Sequence, residues 1–250
     1  MGKSKILVVD DEPFNVELLE GMLSTDYDIL TAYNGNEALE QVEKNSPDLI
    51  LLDIMMPGLN GYEVCRRLKN NDTTISIPVV MVTALTEKKD RIKAIESGAD
   101  DFLSKPVDQL ELKARVKSLL RVKEYYDALM AEKEKLLIFK SALNGMDDCV
   151  IITNMSGDIK YVNPIFEKRF GYSLAQVSEK HISLIKHPES SLALDKESII
   201  QDTRHEWKGN LIGVNKHGLK LNMSLKCSPI MKGNHMINRV FVLREIVCLY

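Results

Sequence analysis

Short apolar runs that stop abruptly at polar side chains constrain this chain most. Ile6–Val9 ends in Asp10-Asp11, Leu49–Leu52 in Asp53, Val79–Val82 in Thr83, and the brief Phe102–Ser104 in Lys105. Four or five apolar residues are too few for a helix, and an unbroken run leaves no wet face, so these read as strands buried on both sides. Asp28–Ala32 is a further strand of more mixed character. The intervening segments carry helical patterns. Pro13 suits the first turn of a helix, with Asp11 or Glu12 as cap and Val16, Leu19 and Leu23 behind it. Further helices are predicted over 36–43, near 62–68, over 88–97 with a stop at Gly98, and from about Asp108. Strands alternating with helices imply an α/β fold, a doubly wound five-stranded parallel sheet covered on both faces. In such sheets function collects at the carboxyl ends of the strands.

Those ends carry three acids (Asp10, Asp11, Asp53), one hydroxyl (Thr83) and one amine (Lys105). Taken singly, a threonine that ends a strand or a lysine in solvent is ordinary. Three acids from two strands are different, because in one crevice they repel and stay ionised only beside a cation. Hard carboxylate oxygens suit Mg2+, which takes one or two protein carboxylates with a phosphate oxygen and keeps several waters. The set matches phosphoryl transfer to a carboxylate better than sugar or peptide hydrolysis. Charge is distributed to match. Residues 1–122 hold 15 basic and 21 acidic side chains, net −6, while residues 146–250 hold 14 and 11, net +3, within a whole-chain charge of −3. That balance does not favour nucleic acid as a partner.

The segments ILVVDDEP, LILLDIMMPGLNGYEVCRRLK, PVVMVTAL and ESGADDFLSKPVD resemble the receiver domain of two-component response regulators, a flavodoxin-like fold, over residues 1–122. By that resemblance Asp53 is the phosphoacceptor, taking its phosphoryl group from a histidine kinase or phosphotransfer protein. Asp10, Asp11, Asp53 and the backbone carbonyl of Met55 would hold Mg2+. Thr83 would hydrogen-bond the phosphoryl oxygen, and Lys105 would pair with it, its bond to Pro106 being cis. Phe102 stands at the switch position often held by Tyr; lacking the hydroxyl, it would read out the state by packing alone.

From Leu112 to Leu143 no Pro or Gly interrupts the chain, and Val122, Leu129, Leu136 and Leu143 recur every seven residues beside a mixed column of Leu119, Tyr126, Lys133 and Lys140. This reads as a helical linker over 123–143, either packed on its own domain or pairing in a parallel coiled coil, with the lysines weakening the seam. Beyond it, 149–153 and 159–162 form a hairpin, short helices follow over 163–170 and 173–176, and a less regular stretch runs to about Glu197. Strands over 207–215, 219–229 and 237–245 complete an antiparallel sheet with helices on one face, an α+β plan. DCVIITNMSGDIKYVNPIFEKRFGYSLAQV, WKGNLIGVNKHGLKLNMSLKCSPI and INRVFVLREI resemble a PAS domain over 144–250. Its ligand is open. Trp207 stands in a Trp-Lys-Gly pattern resembling that of redox-sensing flavin PAS domains, a pattern shared with many that bind nothing. The light-sensing cysteine motif is missing, and neither His181 nor His187 sits in a haem motif, so flavin and haem are not expected.

The four cysteines form no CxxC and argue for a reducing compartment. No apolar run reaches the length of a membrane span, and Gly2 followed by Ser4 is not the myristoylation spacing. A cytoplasmic, non-enzymatic, homodimeric regulator is expected, signalling by protein contacts through the helix and the PAS domain. The alternatives are the sensory front of a longer enzyme, a diguanylate cyclase or histidine kinase, and a PAS-based small-molecule or redox sensor modulated by phosphorylation. TALTEKKDRIKAIESGADDFLSKP resembles receivers that head diguanylate cyclase regulators.

Overall fold

The computed structural model describes residues 2–84, 88–192, 194 and 206–246. The chain divides into two compact units, residues 1–133 and 134–250.

In the first unit β1 (Lys5–Val9), β2 (Asp28–Ala32), β3 (Leu49–Asp53), β4 (Val79–Thr83) and β5 (Asp101–Ser104) alternate with α1 (Pro13–Leu23), α2 (Gly35–Asn45), α3 (Gly61–Lys69) and α4 (Lys88–Glu96). The strands pair in parallel in the order β2-β1-β3-β4-β5, so the winding reverses between β1 and β3. Every residue of β3 and β4 is buried, as unbroken apolar runs require. Alternate strand residues separate the two layers: Ile6, Val8, Leu51 and Val82 cluster with α1 and with Leu112, Val116 and Leu120, while Leu7, Val9, Ile50 and Leu52 cluster with α2 and α3. Burying each such side chain is worth about 1.5–3 kcal/mol, which fixes the strand ends firmly. Helix starts follow local chemistry. Asn34 and Asn60 cap α2 and α3 by accepting from the N–H of Glu37 and Glu63. At α1 the cap is Glu12, which makes no side-chain capping bond.

Helix α5 (Gln109–Asn144) is a single 36-residue element. Leu112, Val116 and Leu120 are buried at helical spacing. From Arg121 to Ala142 every residue is exposed except half-buried Lys123. Among the described residues, packing of the heptad column on its own unit, one of the two sequence readings, is not found for Val122, Leu129 and Leu136, which are all exposed, while Leu143 is half-buried.

The second unit contains β6 (Cys149–Thr153), β7 (Ile159–Val162), α6 (Pro164–Phe170), α7 (Leu174–Val177), a 3-10 turn over Ile182–Ile185, β8 (Trp207–Val214), β9 (Lys220–Lys232) and β10 (His235–Glu245). All strand pairs are antiparallel, in the order β7-β6-β10-β9-β8. Phe166 and Phe170 stack at 4.9 Å in the core, and Trp207 meets Phe241 edge-on at 6.4 Å. The last hairpin is longer than expected, since β9 continues through Pro229 to Lys232 and β10 starts at His235. Pro229 pairs with Arg239 of β10, and among the described residues the last β8 partner on β9 is Cys227. Part of the expected irregular stretch to Glu197, and Cys248, lie outside the described residues.

Candidate functional site

The strand ends of the parallel sheet bring Asp10, Asp53, Thr83 and Lys105 together. Lys105 Nζ donates to Asp10 Oδ2 and to Asp53 Oδ1, both at 2.6 Å. Asp10 is 1% exposed, Asp53 3% and Thr83 2%. Lys105 is placed by its backbone, whose N–H donates to the Thr83 carbonyl at 2.8 Å, and its peptide bond to Pro106 is cis. The second oxygen of Asp53 accepts from the Met55 N–H at 2.5 Å.

Burial pushes the Asp53 carboxyl above its ordinary range; Lys105 and the Met55 N–H oppose this, and the neighbouring Asp10 adds to it. Burial alone would lower the Lys105 ammonium, but its bonds to Asp10 and Asp53 outweigh that and hold it above its usual value. The Asp53 carboxylate is thus desolvated, with one ammonium shared between two acids.

Two contributors were not singled out from the sequence. Asn15, one turn into α1, donates to Asp10 Oδ1 at 3.0 Å and to Glu12 Oε2 at 3.0 Å, and so aims the Asp10 carboxylate. Gly61 lets the loop after β3 fold back on the strand end, because a Cβ there would lie 2.2 Å from the Asp53 carbonyl oxygen. Only its position after Asn60, at the start of a helix, hinted at this. Asp11 and Met55 are exposed, and Asp11 does not join the Lys105 pairs. Phe102 is half-buried against the α2–α3 side of the sheet.

Among the described residues no three His, Cys, Asp or Glu side chains form a ready-made metal cage. The donor set still fits a hard divalent cation. Two buried carboxylates against one ammonium leave net negative charge in a desolvated pocket, and Mg2+ needs no more than one or two carboxylates. A mainly apolar hollow of about 430 Å3 is lined by Phe14, Leu18, Leu19, Val82, Pro106 and Val107 together with Asn15 and Lys105, two residues that also bond to Asp10. In the second unit His181 and His187 each accept a backbone N–H at Nδ1, from Ser183 and Glu189, and so act as turn caps.

The response regulator receiver domain family matches residues 6–117, and a PAS domain family matches 147–247. The alkaline phosphatase synthesis transcriptional regulatory protein PhoP of Bacillus subtilis is 37% identical over 182 residues, 72% of this chain and 70% of that protein. The chain belongs to the response regulator family. Response regulator PleD of Caulobacter vibrioides is 52% identical over 127 residues, which are 50% of this chain and 28% of PleD. The chain thus spans little more than a quarter of that relative. Among solved structures, a two-component response regulator from Clostridium difficile is 35% identical, covering 48% of this chain and 97% of that one, with a TM-score of 0.45. In this response regulator a receiver domain is followed by a PAS domain, and among the described residues no helix is long and apolar enough to cross a membrane.

Proposed function

We propose that this response regulator accepts a phosphoryl group on Asp53 from a phosphohistidine of a histidine kinase or phosphotransfer protein, and signals through α5 and the PAS domain by protein contacts, with no catalytic output. The observation that carries the reading is the shared ammonium: Lys105 Nζ lies 2.6 Å from both Asp10 and Asp53, at the ends of adjacent strands. An Asp53 oxygen attacks phosphorus, the bond from phosphorus to the histidine nitrogen breaks, and the imidazole leaves. Its partner would dock its apolar surface in the hollow that Lys105 helps to line, with the phosphohistidine directed at Asp53, the other partner of that ammonium.

Asp10, Asp11, Asp53 and the Met55 carbonyl would hold Mg2+. When bound, the ion offsets negative charge on the entering phosphoryl group. Lys105 then transfers its pairing from Asp53 to a phosphoryl oxygen, and the Thr83 hydroxyl donates to another. The modification adds about −1.5 to −2 charge, drawing Lys105 and Thr83 inward, while Phe102 repacks without a hydroxyl of its own to re-bond. In this division residues 1–122 receive, 123–143 transmit and 144–250 respond.

Pairing of two copies along α5 is supported by its exposed apolar residues. Leu136, Leu137, Ile138 and Phe139 are consecutive and all exposed, so one helical turn is apolar on every side, a pattern that calls for burial against something more. Incubation with radiolabelled acetyl phosphate and Mg2+ tests the central step. The wild type is expected to take label and Asp53→Asn to take none; equal labelling of both sinks the reading. A second reading, the front of a longer signalling protein, is favoured by the match to PleD covering only 28% of that relative. An open reading frame continuing past Tyr250 supports it, and a stop codon there removes it.

A further inference from the structure

The last turn of α5 is held by a side chain from another element. Asn163, fully buried between β7 and α6, uses every hydrogen-bonding position of its amide. Its Oδ1 accepts from the Val150 N–H of β6 at 2.9 Å and from the Phe166 N–H of α6 at 3.1 Å. Its Nδ2 donates to the Leu143 carbonyl of α5 at 3.2 Å and to the Asp148 carbonyl at 2.9 Å. Two residues earlier, the Tyr161 hydroxyl donates to Asn144 Oδ1 at 3.1 Å. One end of β7 therefore grips the end of the long helix twice.

Capping does not explain the choice of residue. The α6 cap needs only an acceptor, which Ser, Thr or Asp supplies equally well. Those side chains lack the two amide donors, and the donors are what reach α5 and the loop before β6. The last four carbonyls of any helix have no partner within it, and water satisfies them at no fixed geometry. A buried amide satisfies Leu143 at one geometry and, through its oxygen, ties that geometry to a strand and a second helix. Unsatisfied, those buried groups would be costly, so the joint resists opening.

We propose that Asn163 is the positioning residue that couples the end of α5 to the PAS sheet. Displacement of the helix is passed to β6 and α6 and is not absorbed in the loop over 145–148. The proposal rests on the reading that a signal from Asp53 travels along α5.

The test is amide hydrogen exchange on the full chain, with and without beryllofluoride and Mg2+, in the wild type, Asn163→Asp and Tyr161→Phe. Val150 and Phe166 are themselves donors to Asn163, so their amides report on the joint directly. Asn163→Asp keeps both acceptor bonds and removes both donors. In the wild type, beryllofluoride is expected to change exchange within 109–122, and by about five-fold at Val150 and Phe166, the scale of one hydrogen bond. In Asn163→Asp the change within 109–122 should persist while that at Val150 and Phe166 is lost. In Tyr161→Phe the change at those two amides should fall at least two-fold.

No wild-type change within 109–122 defeats the reading of a signal from receiver to helix. A change there with none at Val150 and Phe166, or an undiminished response in the variants, overturns the joint while leaving that reading intact. Should Asn163→Asp not fold, Tyr161→Phe decides alone, since its bond lies at the surface and the fold does not depend on it.

Discussion

Lys105 and Asp53 are joined at 2.6 Å, and the same ammonium reaches Asp10 at the same distance, so one cation is shared between two acids that are almost wholly out of water. Asp53 titrates above its ordinary range because burial disfavours its charge. In the window above the unfolded value the folded protein binds more protons than the unfolded chain, so stability falls as pH rises through it. Asp53→Asn removes that slope. It is expected to stabilise the unphosphorylated protein at neutral pH by about 1 kcal/mol, while abolishing labelling. Urea melts at several pH values check both the gain and the lost slope.

Lys105→Met has the opposite effect. It leaves two buried carboxylates without their counter-ion and should cost about 3–5 kcal/mol. Lys105→Met combined with Asp53→Asn should recover part of the loss, because only one buried charge then remains. The Lys105 ammonium is held above its usual value, so the stability it contributes is complete below pH 10.5 and is lost as pH rises through its folded value. Denaturant melts of the two variants, together with an alkaline titration of the wild type, test these statements.

Cys149 provides a separate alkaline signal in the PAS domain. Burial pushes its thiol from 9.0 up to about 11. The unfolded thiol ionises first, so stability should fall by about 2–3 kcal/mol between those two pH values. Cys149→Ala should flatten that stretch of the stability curve. Iodoacetamide should label Cys149 at neutral pH only after denaturation.

Charges placed on the exposed column of α5 should separate the copies without harming either domain. Leu129→Glu and Leu136→Glu change side chains that are exposed in the single chain. Each removes burial worth about 1.5–3 kcal/mol at a paired seam, or at least ten-fold in the dissociation constant. Sedimentation equilibrium of the wild type and the double variant measures the difference. A wild type that sediments as a monomer at every accessible concentration counts against pairing.

The parallel sheet was legible because its buried strands carry no wet face: Leu49–Leu52 and Val79–Val82 admit no other reading, and their ends locate Asp53 and Thr83. What local sequence could not separate were neighbours of the same chemistry. Asp10 and Asp11 look alike, yet one is buried on Lys105 and the other exposed. Pro229 looked like the end of a strand, but its partner across the sheet, Arg239 of β10, is supplied by the fold. Asn163 was visible as the start of a helical segment, but its other partners, Leu143 and Asp148, are supplied by the fold. Asn15 and Gly61 escaped for the same reason, since each acts on a strand end that only tertiary structure brings near.

The length of α5 has a mechanical consequence. Leu120 is the last residue of its buried root, and the helix continues for 24 residues to Asn144, about 36 Å at 1.5 Å per residue. Over such an arm a tilt of about 5° at the root sweeps the tip through roughly 3 Å, about the length of one strand residue. On the proposed reading of a signal carried by α5, the receiver needs no large rearrangement to be felt at the far end. A displacement too small to disturb its own core becomes, by leverage alone, a full step in the register of whatever the tip engages.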